Sequence, residues 1–177
     1  MKKVQMWIFI LALVVSILYL VFTLGFSTNY AIGEGYLGQF YQDSQKANKE
    51  MFDLGLWIVI LVGISFIFNT HKNKRFYVYN YLLALSVAGL MIATGIVTYG
   101  YMGPLKEAYL EIDEFMLFVL TIINGGKIST QNFEQGIILS FVLFFQALLI
   151  MGITGYKVYI DITRAKTKKA QHMEVIS

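Results

Sequence analysis

The sequence predicts an all-α protein: a four-helix transmembrane bundle with both termini cytoplasmic and a small helical extracytoplasmic cap. Three observations carry that prediction. Of 177 residues, 57% are hydrophobic and only 14% charged, against about 25% charged in a typical soluble domain. The apolar residues gather into four runs, at about 6–28, 54–70, 76–100 and 135–160. Each run is near the roughly 20 helical residues that cross a hydrocarbon core about 30 Å thick. The charges between the runs then sort by sign. The segments holding the termini and the 71–75 link carry ten cations against Asp161 and Glu174, a net charge of +8. Segments 29–53 and 101–134 sum to −2 and −3, which recovers the overall +3. Lysine and arginine beside a span stay on the cytoplasmic side, so the two acidic segments face outward. Four spans use most of the length, so residues 1–177 form a single integral membrane domain.

The central hairpin fixes this arrangement. Runs 54–70 and 76–100 contain no charged residue and are joined by His71, Lys72, Asn73, Lys74 and Arg75. Upstream, Lys2 and Lys3 precede the first run. That run is longer than the 7–15 residues of a signal-peptide core and lacks an Ala-x-Ala site, so it is expected to be a retained anchor. Trp7 sits where an aromatic belongs at the inner interface, and Tyr30 at the outer one.

In the first outer segment, Gly33, Gly35 and Gly38 alternate with aromatics and predict a turn at the membrane surface. Glycine strings cradle phosphate where they join a strand to a helix, and no strand signal accompanies this one. Phe40, Ala47, Met51 and Leu54 recur at helical spacing, so the second helix is expected to start near Gln39 and run unbroken to about Asn69.

The third span collects small residues. Ala84 and Ala88 are four apart, as are Gly89 and Ala93, and Gly95 follows. Lipid gives helices no hydrophobic reason to associate, so close backbone approach at small residues supplies the contact. These five residues are the candidate helix-packing interface. Met102, Gly103 and Pro104 are expected to break the helix, with Pro104 opening the next. That next helix, 105–123, sets Leu105, Tyr109, Ile112, Met116, Val119, Leu120 and Ile123 on one face. Glu107, Glu111 and Glu114 line the other face. Each carboxylate costs about 2.5–3.5 kcal/mol near the bilayer centre, so the helix lies on the outer surface. Its acidic face offers a mouth that gathers cations or a docking surface for a basic partner segment. Ser129 or Thr130 is placed to cap the fourth helix, which runs from about Gln131 past Tyr156 into Arg164. The tail, 161–177, carries Arg164, Lys166, Lys168 and Lys169, a cluster suited to anionic lipid headgroups as well as to enforcing topology.

Functional chemistry has few places to sit. An ionisable residue inside a span is by default a functional candidate, and no run has one near mid-membrane. Gln146 is the strongly polar residue there. It is expected either to line a pore or to bond a neighbouring helix, with Ser86, Thr94 or Ser16 as partners. There is no cysteine, which removes disulfides and thiolate chemistry. His71 and His172 lie outside the runs, so no haem or metal ligand set forms in the membrane; no cofactor is expected. The pI near 9.0 reflects topology and not nucleic-acid binding. These observations lead to a non-enzymatic accessory or structural subunit of a larger membrane complex, in contact with the lipid bilayer and with a membrane-protein partner or further copies of itself. The competing expectation is a homo-oligomeric channel or transporter for cations or small solutes, with Gln146 in its pore and the glutamates at its mouth. Lysine, isoleucine and asparagine in abundance fit an AT-rich bacterial genome, hence a bacterial plasma membrane.

Overall fold

The computed structural model describes residues 2–25, 35–70, 78–112 and 130–174. They form four helices: α1 Lys2–Gly25, α2 Gly35–Thr70, α3 Val78–Leu110 and α4 Gln131–Glu174. All four are long and apolar enough to cross a membrane. Each packs on its sequence neighbour, and α1 closes the ring against α4.

Side-chain contacts fix the directions. Tyr81 meets Asp161 at one end of the α3–α4 pair and Lys106 meets Glu134 at the other, so these helices are antiparallel. Lys157 to Gln5 and Gln146 to Ile8 do the same for α4 and α1. Asn80 to Phe68 and Tyr101 to Glu50 do it for α3 and α2. The result is an up-down bundle with the start of α1 and the end of α4 at one end, here the termini end. The far end carries the first turns of α2 and the last turns of α3.

The core is a column of aliphatic side chains with a few aromatics. Phe9, Ala12, Ile58, Val62, Val87, Ala88, Met91, Leu143, Ala147 and Ile150 are buried along it. The outer circumference is no less apolar: Leu11 and Leu18 of α1, Trp57 and Ile64 of α2, Leu82 and Ile96 of α3, and Phe141 and Phe145 of α4 are all exposed. Water-soluble monomers rarely expose apolar patches beyond a few hundred Å², whereas a bundle solvated by lipid must.

Local chemistry sets the helix ends. Gly35 opens α2 at φ 68°, a left-handed conformation that glycine adopts without a Cβ penalty. At the end of α3, the Glu111 amide donates to the Glu107 carbonyl at 3.1 Å and the Ile112 amide to Tyr109 at 3.4 Å. Ile112 then folds back into the core, an apolar closure common after helix ends. At the start of α4, the Phe133 and Glu134 amides both donate to the Thr130 carbonyl, at 3.0 and 3.2 Å. Of the two predicted caps, Thr130 stands directly before the first helical residue with its hydroxyl 3.1 Å from Glu134 Oε1, and Ser129 lies outside the described residues.

Three boundaries differ from the sequence expectation. α2 begins at Gly35, one turn before Gln39. α3 does not break at Met102, Gly103 and Pro104 but continues through them to Leu110. Pro104 is exposed and removes one backbone bond on the open side, while Met102 and Leu105 remain buried and hold the turn in place. Residues 105–110 are therefore the last turns of α3, and residues 111 and 112 form a turn. The expected separate helix over 105–123 does not start at Pro104, and its part beyond 112 lies outside the described residues. Finally, α4 does not end near Arg164. It carries the cationic tail as helix to Glu174.

Candidate functional site

The polar groups inside this bundle could do work only if some were left without partners, so what each one meets decides the matter. Gln146 is 1% exposed. It faces α1, and its Nε2 donates to the Ile8 carbonyl at 3.0 Å. None of the three expected partners is involved: Ser16 and Thr94 donate back to Ala12 and Leu90 of their own helices at 2.6 and 2.9 Å, and Ser86 is exposed. Gln146 is thus enclosed within one copy of the chain.

The deepest polar contact is one that sequence inspection passed over. Tyr19 and Thr98 are both 0% exposed, and their hydroxyls lie 2.6 Å apart across the bundle axis. The direction of that bond can be deduced. Thr98 spends its one hydroxyl hydrogen on the Thr94 carbonyl at 2.8 Å, so Tyr19 is the donor and Thr98 the acceptor. The Tyr19 ring also rests on Gly55 of α2, where a Cβ would come within 3.1 Å of it. One side chain of α1 therefore touches both α2 and α3. The available signal was a lone tyrosine in mid-span, since a buried phenol nearly always finds a partner.

At the termini end, Tyr81 donates to Asp161 Oδ2 at 2.7 Å. Lys157 donates to Gln5 Oε1 at 3.2 Å and stands 5.9 Å from the Tyr81 ring centroid. Asn80 donates to the Phe68 carbonyl at 3.3 Å. These contacts join all four helices. At the far end, Tyr101 donates to Glu50 Oε2 at 2.5 Å, and Lys106 pairs with Glu134 at 3.0 Å. Phe40, Tyr109 and Phe133 pack in series as tilted ring pairs with centroids 5.8 and 5.6 Å apart. Ser44 Oγ and Asn48 Oδ1 are the buried side-chain atoms without a hydrogen-bond partner among the described residues.

The predicted helix-packing residues fall on two faces of α3. Ala84 and Ala88 are buried in the bundle. Gly95 abuts α4, where a Cβ would lie 3.1 Å from the Ser140 carbonyl and 3.2 Å from the Phe144 ring. Gly89 and Ala93 face outward, and a Cβ on Gly89 would meet nothing within 4 Å. Glu107 and Glu111 are exposed at the end of α3; Glu114 lies outside the described residues. Arg164 is exposed, and positions 166, 168 and 169 follow it on the same helix. Among the described residues, no group of three or more His, Asp or Glu is placed to hold a metal ion.

The interior polar contacts are latches between helices: α1 to α3, α1 to α4, α2 to α3 and α3 to α4 each have at least one. Comparison with known proteins gives no match to this chain, whether among family models, curated proteins or solved structures.

Proposed function

We propose that the chain is a multi-pass protein of a bacterial plasma membrane, termini cytoplasmic, that serves as a non-enzymatic accessory or structural subunit packed against another membrane protein. One observation carries this reading: α3 presents small residues on two faces, and only one face is filled. Ser86, Gly89, Ala93 and Gly100 are all exposed along one stripe, and a Cβ at Gly89 or Gly100 would meet nothing within 4 Å. Gly152 and Gly155 of the adjacent α4 are likewise open. The Tyr81–Asp161 contact puts them at about the depth of Ser86 and Gly89. Lipid chains gain nothing from glycine on a helix surface, whereas a partner helix gains close backbone approach there. The interhelical latches support the same reading, because apart from Ser44 and Asn48 they leave the outer surface as the place where specificity can act.

The test is co-purification. In a mild detergent the tagged chain is expected to bring down a membrane protein in fixed ratio. Gly89→Leu combined with Ala93→Leu should abolish that ratio without lowering the melting temperature of the chain itself. Co-purification unaffected by both leucines would refute the proposal.

A further inference from the structure

We propose that the stretch of α4 from Arg164 to Lys169 binds the anionic phospholipid headgroups of the leaflet at the termini end. The inference goes beyond the subunit reading and shares with it the placement of the bundle in a membrane.

Depth comes first. Tyr156 and Tyr159 are exposed on the lipid side of α4, and Trp7 is exposed at the same end of α1. Such aromatics settle where hydrocarbon gives way to headgroups, so two helices mark one boundary. At a rise of 1.5 Å per residue, position 164 lies about 7 Å beyond Tyr159 and position 169 about 15 Å. That interval covers the headgroup layer and the first Debye length, about 8 Å, of water beyond it.

Charge comes next. Residues 164–169 hold four cations and no carboxylate. Upstream, Asp161 accepts from Tyr81 and Lys157 donates to Gln5, so both act within the bundle. These four cations come in addition to Lys72, Lys74 and Arg75, which the sequence places in the link between α2 and α3.

Placement around the axis then selects the occupant. Helical register puts positions 164, 166, 168 and 169 at about 0°, 200°, 40° and 140° around α4. A helix lying flat on a membrane keeps its cations on one face, as does one docked on an acidic protein. Positions spread over about 200° of the helix circumference, wider than one face, suit a helix that passes upright through a layer of negative headgroups, each cation near such a surface being worth about 1 kcal/mol.

The experiment uses the full chain with one fluorescent reporter at this depth. Trp7→Phe, Trp57→Phe and Tyr159→Trp are all changes at exposed positions, and together they leave a single tryptophan in the chain. The triple variant is reconstituted into vesicles holding phosphatidylcholine and phosphatidylglycerol, with one or the other lipid brominated on its acyl chains. Quenching of that single tryptophan should show phosphatidylglycerol preferred by at least about fivefold, the worth of one cation. The preference should shrink in about 0.5 M salt, where screening shortens to a few ångströms, an arm that needs no further mutation. It should vanish when Arg164, Lys166, Lys168 and Lys169 are all changed to Gln, and survive when the three lysines become Arg. Equal quenching by both lipids would overturn the proposal, as would a preference that outlasts the four Gln changes. Loss of the preference on adding inorganic phosphate at constant ionic strength would assign the cations to a soluble ligand and overturn it too. No quenching by either lipid would remove the membrane placement itself, and the proposal with it.

Discussion

Thr98→Val should destabilise the bundle more than Tyr19→Phe, although each removes the same 2.6 Å hydrogen bond. The difference follows from which group donates. In Tyr19→Phe the phenol goes, and the Thr98 hydroxyl still donates to the Thr94 carbonyl at 2.8 Å; what remains is an acceptor short of one partner. Interhelical hydrogen bonds in membrane proteins average about 0.6 kcal/mol, so that is the expected cost. Thr98→Val keeps the shape but leaves the Tyr19 O–H, at 0% exposure, with nothing to donate to. An orphaned buried donor costs about 1–3 kcal/mol. The phenol cannot swing away easily, because its ring is held on Gly55. The double variant removes both polar groups together and should lie closer to Tyr19→Phe than to Thr98→Val, since apolar replacement of both partners is nearly neutral. Reversible unfolding of the four proteins in mixed micelles, followed by circular dichroism, measures all three differences. If Tyr19→Phe proves as costly as Thr98→Val, the deduced donor direction is wrong, and so is the latch built on it.

The other predictions test the packing and the surface. Gly136→Ala would put a Cβ 2.6 Å from Met102 and 3.0 Å from Phe22; overpacking of this kind costs about 1–3 kcal/mol, seen as a lower melting temperature. Gly152→Ala, with nothing within 4 Å, should instead gain about 0.5–1 kcal/mol from helix propensity, and a loss there would contradict the open surface. Pro104→Ala restores the backbone donor to a turn already helical and should stabilise α3 by about 1–3 kcal/mol, with a newly protected amide at position 104 in hydrogen exchange. Lys106→Ala breaks an ion pair whose members are 33% and 53% exposed and should cost under about 1 kcal/mol, an effect that salt erases in the same melts.

The four long apolar helices and their approximate span positions were legible because both rest on one strong signal, the collection of apolar residues into runs of bilayer length. Boundaries were less so. Pro104 reads locally as a break, yet the buried side chains of Met102 and Leu105 keep its turn in the helix, and tertiary packing of that kind leaves no mark on the residues themselves. The end of the fourth helix reads as falling near Arg164, where the apolar run gives way to charge, yet the helix continues through the cationic tail to Glu174. Polar partners were the least legible. Gln146 was visible as an exception in an apolar run, but its acceptor is a backbone carbonyl, and every residue has one. Tyr19 and Thr98 are 79 positions apart, and pairing them requires the rotation of two helices about their axes, which spacing within either helix does not give. The split of the α3 small residues into a filled and an open face depends on the same rotations.

α4 has 44 residues, about 66 Å of rod at 1.5 Å per residue, roughly twice the thickness of a bilayer's hydrocarbon core. Roughly eighteen residues project past Tyr156 on the side of the termini, an arm about 27 Å long. Pivoting α4 by only about 10° where it leaves the bundle would swing the arm's tip sideways by about 5 Å, by the same rise. A small repacking beside Gly152 would thus be magnified at Glu174 into a displacement that a neighbouring molecule could sense.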